Sequence, residues 1–238
     1  MSLGVAIVTG AARGIGRAVA IRLAQDGYDV ALVDIEPQDE LSSLRKEIEA
    51  LGRRAIEVIG DVSEESVVEA MVARTVAELG SLEVMVANAG IGIVKPLVET
   101  TIKEWDLVFN VNAKGVFLCY KHAAKVMIER GKGGRIIGAS STAGKRAGAT
   151  LSVYSATKSV VISLTQSSAE ELKPYGVTVN AYAPAEAIIQ NKVSIPGLQG
   201  LPVGQPQDVA AMVSYLASKD ANFVTGQTFT VDGGVLLY

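Results

Sequence analysis

Histidine and cysteine are almost missing from this sequence: 238 residues include one of each, His122 and Cys119. Neither a disulfide framework nor a Cys/His metal cluster can be built from them within one chain. His122 lies in the apolar helical pattern "GVFLCYKHAAKVM", where a packing role is more common than a catalytic one. The sequence therefore predicts no metal site and argues against a Ser-His-Asp hydrolase.

Clustered positive charge and long apolar runs are also missing. The formal net charge is −3, and Arg53-Arg54 and Lys145-Arg146 are isolated basic pairs, so the footprint of a nucleic-acid-binding protein is absent. No apolar stretch reaches the roughly 18 residues of a membrane span. "MSLG" leads directly into "VAIVTG" without a charged leader region. We therefore expect a soluble, cytoplasmic protein that binds neither nucleic acid nor membranes.

Aliphatic residues, in contrast, recur in a regular rhythm. Short β-branched runs alternate with amphipathic segments, which predicts an α/β fold: a doubly wound parallel sheet with helices on both faces. We expect one domain over residues 1–238. The predicted elements are "VAIVT", a helix to about Gln25, "DVALVD", a helix through Leu51, "RAIEVIG", a helix through Leu79, "LEVMVANAG", a helix near 112–130, "GRIIGAS", a helix around 153–173, "VTVNAYA", an irregular stretch over 184–205, the helix "PQDVAAMVSYLAS" and the strand "QTFTVDGG".

The turn after the first strand reads "VTGAARGIGRAVA", which spaces Gly10, Gly14 and Gly16 around Arg13 and Ile15. Glycines there let the backbone turn tightly and approach a pyrophosphate, whose charge the helix N-terminus favours. Such a spacing alone also fits an ordinary turn. Its position between the first strand and helix of a βαβ series favours a dinucleotide site.

Asp34 ends the second strand, 18 residues after Gly16. A carboxylate there can accept both ribose hydroxyls of an adenosine and would repel a 2′-phosphate, which favours NAD over NADP. A capping role for Asp34 is the alternative. Arg13 could instead pair with a phosphate, so NADP stays open.

Two further groups follow the third and fourth strands. They are Asp61 and Val62, and the segment "NAG" at Asn88, Ala89 and Gly90. Because ligands bind beyond the carboxyl ends of parallel strands, we expect these residues to contact the dinucleotide. Each group alone also fits turn chemistry.

Tyr154 and Lys158 stand four residues apart in "YSATK", so a helix would place them on one face. A free tyrosine has a pKa of about 10, and acid/base catalysis near neutrality needs roughly 3–4 kcal/mol that favours phenolate. The Lys158 ammonium could supply such a field. A pair of this kind also arises by chance on exposed helices, so its meaning depends on its neighbours.

Together these motifs resemble those of the classical short-chain dehydrogenase/reductase family, from Thr9 to Gly234. The resemblance implies a single Rossmann domain, a nicotinamide cofactor, and reversible conversion of a secondary alcohol to a ketone in a homotetramer. The matching segments are "TGAARGIG", "DV" at 61–62, "NAG" at 88–90, "NVNAKG" at 110–115, Ser141 in "GASSTAG", "YSATK" at 154–158 and "VDGG" at 231–234.

The resemblance also implies four roles around the substrate. Tyr154 would exchange the proton of the substrate hydroxyl and also contact the cofactor, and Lys158 would hold the nicotinamide ribose. Ser141 would hydrogen-bond the substrate oxygen, and Asn112 would keep a water behind Lys158. Ser140 is the rival of Ser141, and the 13-residue spacing to Tyr154 favours Ser141. Asn112 could alternatively interrupt a helix.

The chain departs from the family pattern after the strand "VTVNAYA". Pro184, expected beside the cofactor, is followed by Ala185 where the family has glycine, and no threonine precedes the next helix. If glycine is needed there for backbone freedom, Ala185 would reduce stability or displace the loop. The resemblance implies that the segment 184–205 is a shortened substrate lid. A short lid with few aromatics favours an open pocket and a small polar substrate.

Other segments, among them "YLASKDANFVTGQTFTVDGG", resemble the branch that acts on acetoin, diacetyl, 2,3-butanediol and sorbose. We therefore expect an NAD-preferring oxidoreductase for a small diol, hydroxyketone or polyol. Two alternatives stay open: a 3-oxoacyl-carrier-protein reductase and a non-catalytic nicotinamide-binding scaffold. The apolar ending "GGVLLY" predicts a subunit interface, in keeping with the implied homotetramer.

Overall fold

The computed structural model describes residues 2–35, 38–185, 204–234 and 236. Within these residues seven strands form one sheet, and each neighbouring pair of strands is parallel. The strands are β1 Val5–Thr9, β2 Asp29–Asp34, β3 Ala55–Ile59, β4 Val84–Ala87, β5 Gly134–Ala139, β6 Val177–Pro184 and β7 Thr228–Val231. Their order in the sheet is β3-β2-β1-β4-β5-β6-β7. The predicted doubly wound parallel sheet is confirmed.

Helices cover both faces of this sheet. They are α1 Gly14–Asp26, α2 Gln38–Ala50, α3 Glu65–Leu79, α4 Ile102–Phe109, α5 Gly115–Arg130, α6 Thr142–Lys145, α7 Ser152–Leu172 and α8 Pro206–Ala217. One core packs α1, α2 and α8 on the sheet. A second core packs α3, α5 and α7 on the opposite face. Since both sheet faces are covered, the strands read as nearly continuous apolar runs.

The region before residue 112 differs from the prediction. The sequence predicted a helix near 112–130 and no helix between "LEVMVANAG" and residue 112. The structure has α4, then one π-helical turn over Asn110–Lys114, and then α5. A capping box starts α4: the Thr101 side chain accepts from the Glu104 N–H, and the Glu104 carboxylate accepts from the Thr101 N–H. The "T-x-x-E" spacing is a known start signal that the sequence analysis did not use.

The sheet reverses direction of winding between β1 and β4. β1 pairs with β2 on one side and with β4 on the other. Connections leave this point toward opposite faces, which opens a crevice beyond the carboxyl ends of the two strands. The glycine turn follows β1 and "NAG" follows β4, so the fold brings the predicted cofactor residues to that crevice.

Ala185 does not carry the strain that the sequence analysis considered. Among the described residues outside glycine, Thr150 alone has a positive φ, at 63°. Ala185 is buried beside β7, and its N–H donates to the Val231 carbonyl. Most of the predicted lid, residues 186–203, lies outside the described residues. No helix in the described part of the chain is long and apolar enough to cross a bilayer.

Candidate active site

Positive φ angles and lack of space together explain the glycines in the turn between β1 and α1. Gly10 and Gly14 have φ of 64° and 58°, a region that glycine occupies without strain. A Cβ on Gly16 would lie 1.9 Å from the Gly10 carbonyl oxygen. Arg13 precedes α1 in extended conformation and places no side-chain cap on the helix, while Ile15 is half-buried. The start of α1 therefore has no side-chain cap, and the first N–H groups of a helix are the groups that bind anions.

Asn88 and Thr9 fix the shape of this turn from the neighbouring strand. The Asn88 amide nitrogen donates to the carbonyl oxygens of Thr9 at 2.8 Å and Gly10 at 3.1 Å. The Thr9 hydroxyl oxygen in turn accepts from the backbone N–H groups of Asn88 and Ala89, both at 3.0 Å. Thr9 opens the matching segment "TGAARGIG" but was not among the predicted site residues. Its last position in β1 places the hydroxyl beside the segment that follows β4.

Asp34 faces the glycine turn. Its carboxylate accepts from the backbone N–H of Ala12 at 2.9 Å and from that of Ile35 at 2.8 Å. Two carboxylate oxygens offer about four acceptor positions, so Asp34 can hold the turn and also accept ribose hydroxyls. A cavity of about 410 Å³ lies beside it, lined by Ala12, Arg13, Gly14, Arg17, Asp39, Glu40 and Ser43.

The residues that follow β3 have different surroundings. Asp61 accepts from the Ser63 N–H at 2.8 Å, which is turn chemistry. Val62 is buried and lies so close to α5 that a Cβ on Gly115 would come within 2.9 Å of it.

Gly90, the last residue of the "NAG" segment, lies close to α7 and the π turn. A Cβ added to Gly90 would lie 3.2 Å from the Lys158 Nζ and 3.3 Å from the Asn112 Oδ1. The structure therefore brings the segment after β4, the π turn and α7 into contact.

Lys158 is a cation that is buried away from solvent. The residue is 4% exposed, and its Nζ donates to the Ala139 carbonyl at 2.8 Å. Burial lowers the pKa of Lys158 from 10.5 to about 8, because the charged form loses its hydration. The ammonium is therefore still mostly protonated at neutral pH. Strongly shifted groups of this kind are typical of functional sites.

Tyr154 lies beside this cation, as the four-residue spacing predicts. It is 8% exposed, and the Lys158 Nζ lies 5.6 Å from the centroid of its ring. Gly92 runs along the ring edge, where a Cβ would come within 3.9 Å. The phenol and the ammonium thus share one buried environment at the carboxyl edge of the sheet.

The two serines after β5 are both buried but differ in their bonds. The Ser140 hydroxyl donates to the Lys158 carbonyl at 2.9 Å and so ties α7 to β5. The Ser141 oxygen accepts from the Ala143 N–H at 3.1 Å as the N-cap of α6. The Ser141 hydroxyl donates to the Pro184 carbonyl over a long distance of 3.5 Å between the two oxygens. A substrate oxygen can therefore recruit the Ser141 hydroxyl more easily than that of Ser140.

Asn112 is fully buried in the π turn. Its Oδ1 accepts from the Ile91 N–H at 2.8 Å, and its Nδ2 donates to the Ile91 carbonyl at 2.8 Å and to the Thr157 hydroxyl at 3.1 Å. The widened turn points this amide at the segment after β4 instead of at its own helix. Asn112 therefore connects the π turn to the segment after β4 and to α7. It does more than interrupt a helix, which was the alternative interpretation of its sequence position.

We expect Asn112→Ala to lower the free energy of unfolding by about 2 kcal/mol, because the partly buried backbone groups of Ile91 and the buried Thr157 hydroxyl lose their partner. For a chain of this size the melting temperature should fall by about 4–8 °C, as measured by thermal denaturation. Asn110→Ala is the matched control, since Asn110 is exposed in the same turn. Equal melting temperatures for both variants would contradict the assigned role.

The lone cysteine and histidine both lie in α5. Burial raises the pKa of Cys119 to about 12, so it stays a neutral thiol. His122 is buried, with its Nε2 at 3.3 Å from the Glu65 carboxylate. Across the described ranges, no three His, Cys, Asp or Glu side chains form a group that could hold a metal ion.

Comparisons with known proteins cover nearly the whole chain. A family model described as short chain dehydrogenase matches residues 4–191. The protein named short-chain dehydrogenase/reductase eriH, from Hericium erinaceus, is 47% identical over 247 residues, with 98% of each chain covered. L-2,3-butanediol dehydrogenase from Corynebacterium glutamicum is 39% identical over 253 residues, again with 98% of each covered. Carveol dehydrogenase from Mycobacterium avium, solved in complex with NAD, is 30% identical with a TM-score of 0.91 and covers 100% of this chain and 99% of that one.

Proposed function

The chain belongs to the short-chain dehydrogenase family, and from this premise we propose that it transfers a hydride between a nicotinamide dinucleotide and a small secondary alcohol or ketone. The observation that carries the proposal is the buried pair of Tyr154 and Lys158 at the carboxyl edge of the sheet. Ser141 and Asn112 lie in the elements that enclose this pair. Burial of the Lys158 ammonium costs free energy because the charge loses its hydration. A purely structural role would not explain why this cost is accepted next to a tyrosine.

The glycine turn fits a dinucleotide. A Cβ on Gly16 has no room, and α1 begins without a side-chain cap, so backbone amides can approach a pyrophosphate. We assign the turn residues to the phosphates, Asp34 to the adenosine ribose and Lys158 to the nicotinamide ribose. The remaining proposed cofactor contacts are Asp61, Val62, Asn88, Ala89, Gly90 and Pro184. When bound, the nicotinamide supplies the hydride acceptor for oxidation and, in reduced form, the donor for reduction.

Tyr154 carries the proton in this mechanism. In alcohol oxidation its phenolate removes the substrate hydroxyl proton, and in ketone reduction its phenol returns a proton to the oxygen. The Lys158 ammonium favours the phenolate because both groups are buried, where charges interact more strongly than in water. Ser141 donates to the substrate oxygen and stabilises the charge that develops there. Asn112 holds a water behind Lys158, through which the proton reaches solvent.

For the substrate we propose a small diol, hydroxyketone or polyol. The similarity to an L-2,3-butanediol dehydrogenase supports this class. The test follows the absorbance of NADH with diacetyl, acetoin, a ketose and an acetoacetyl thioester. Turnover of the first three supports the proposal. Turnover of the thioester alone favours a 3-oxoacyl-carrier-protein reductase, and dinucleotide binding without any turnover favours a scaffold.

We propose NAD as the preferred cofactor because the Asp34 carboxylate would repel a 2′-phosphate. Asp34→Asn keeps the shape of the side chain and removes its charge. We expect the ratio of kcat/KM with NADH to that with NADPH to fall about tenfold or more, since a charge pair near a protein surface is worth about 1–4 kcal/mol.

Asp39→Asn is the control for this experiment, because Asp39 is a second carboxylate near the glycine turn and lines the cavity beside Arg13. Its ratio should stay close to that of the wild type. A ratio that does not move in Asp34→Asn would mean that Asp34 only holds the turn.

We also propose a cytoplasmic homotetramer. Large apolar side chains are exposed on α4 and α5, with Trp105 at 42% and Phe117 at 47%, and such surface is costly to leave in water. Light scattering coupled to size-exclusion chromatography tests the assembly. A monomeric mass would overturn it.

A further inference from the structure

Tyr182 is a buried tyrosine that the mechanism above does not use. It lies in β6, between Ala139 of β5 and Phe229 of β7, and is 0% exposed. Its hydroxyl donates to the Asn88 Oδ1 at 2.7 Å. Burial raises the pKa of Tyr182 above its usual value of 10, so the phenol remains a hydrogen-bond donor throughout the neutral range.

This bond determines how the Asn88 amide can be used. An amide has one accepting oxygen and a donating NH₂ group. Since Tyr182 satisfies the oxygen, the NH₂ group is left for the carbonyls of Thr9 and Gly10. In the opposite orientation the amide oxygen would face two carbonyl oxygens, which repel it. The phenol therefore favours the orientation that holds the glycine turn.

The Gly10 carbonyl, which accepts from the Asn88 amide, lies directly against the first turn of α1. A Cβ on Gly16 would lie 1.9 Å from the Gly10 oxygen and 2.6 Å from the Asn88 Nδ2. The start of α1 therefore packs against the Gly10 oxygen and the Asn88 Nδ2, which are the acceptor and the donor of one hydrogen bond. A shift of that amide must move the Gly10 carbonyl, the first turn of α1, or both.

We propose that Tyr182 is a positioning residue for the dinucleotide turn, acting through the Asn88 amide on the Gly10 carbonyl and the start of α1. The inference rests on the proposed function, because it assigns this turn to a dinucleotide. It links β6, two strands away from β4 in the sheet, to the shape of the pyrophosphate site.

The test compares Tyr182→Phe with Tyr120→Phe. Tyr120 is an equally buried phenol whose hydroxyl bonds the Thr165 hydroxyl at 3.0 Å, and it lies in the core on the opposite face of the sheet. Both variants remove one buried hydroxyl, and they differ in what that hydroxyl holds. We expect Tyr182→Phe to raise the Kd for NADH, measured by calorimetry, about tenfold, equivalent to about 1.4 kcal/mol. The KM for NADH should rise with it, whereas kcat should change much less.

A second readout needs no ligand. In Tyr182→Phe the backbone amides of residues 10–16 should exchange hydrogen faster than in the wild type, and in Tyr120→Phe they should not. A double-mutant cycle completes the design: in an Asn88→Ala background, Tyr182→Phe should add little to the Kd.

The outcomes separate the inference from the function. If the wild type binds NADH and both tyrosine variants bind it equally well, the inference is wrong and the proposed function stands. An effect of Tyr182→Phe that persists in the Asn88→Ala background also overturns the inference. If the wild type binds neither NADH nor NADPH, the proposed function fails, and the inference fails with it.

Discussion

Tyr154→Phe is expected to lower kcat about 10³-fold, within the range that a positioned proton donor contributes to catalysis. The substitution removes one hydroxyl and keeps the ring, so the contacts of the ring with Gly92 and Lys158 persist. The KM for the dinucleotide should change little, because the phenol acts on the substrate oxygen. Steady-state kinetics with the best substrate of the panel above measure both parameters.

Tyr175→Phe is the matched control for this variant. Tyr175 is 48% exposed just after the end of α7, so the same chemical change should leave kcat close to that of the wild type. A Tyr154→Phe enzyme that retains most of its kcat would remove the proposed proton donor and with it the mechanism.

Lys158→Met is expected to change activity and stability in opposite directions. The variant should lose about 10²-fold or more in kcat, because the phenolate of Tyr154 loses the cation that favours it. At pH 7 the variant should nevertheless be more stable than the wild type by about 2 kcal/mol. The lowered pKa of Lys158 corresponds to a cost of roughly 3 kcal/mol for burying the charge, and the variant no longer has this cost. The variant also loses the hydrogen bond to the Ala139 carbonyl, which reduces its gain in stability by about 1 kcal/mol.

The same lysine makes a specific prediction for the pH dependence of stability. Its pKa is about 8 in the folded state and 10.5 ordinarily. Between these values the unfolded chain binds more protons than the folded one, so the contribution of Lys158 to the free energy of unfolding rises with pH. Below pH 8 both states are protonated and the full cost remains. Wild type should therefore approach the stability of Lys158→Met as pH rises from about 8 toward about 10.

Urea denaturation at several pH values measures this difference. Lys173→Met, at an exposed position immediately after α7, provides the control and should show neither the activity loss nor the gain in stability. A Lys158→Met protein that is less stable than the wild type at pH 7 would show that the ammonium is not a net cost to the fold.

The fold could be predicted because its strongest signals are periodic. The run "DVALVD" is buried over all but its last residue, and the strand boundaries in the sequence and the structure agree within three residues. The π turn could not be predicted in this way. Its cause is tertiary: the Asn112 amide gains partners on Ile91 and Thr157, residues distant in the chain, and no local spacing records that gain.

In the candidate site, too, residues related by local spacing could be predicted, and residues related by tertiary contacts could not. Tyr154 and Lys158 were found from spacing within one helix, and Gly16 from spacing within one turn. Tyr182 and Thr9 contact Asn88 through bonds that connect separate strands, so the sequence does not show which groups their hydroxyls hold. Hydrogen-bond partners also separate Ser140 from Ser141, which sequence could distinguish only by family spacing.

Hydride transfer itself is tested most directly with NADH in which both hydrogens on the transferring carbon of the nicotinamide are replaced by deuterium. The protein is incubated with this NADH and either diacetyl or acetoin, and the product is examined by mass spectrometry. The account predicts one deuterium on the new carbinol carbon, and almost none of this product with Tyr154→Phe. A product without deuterium, or labelled product formed equally well by Tyr154→Phe, would contradict it.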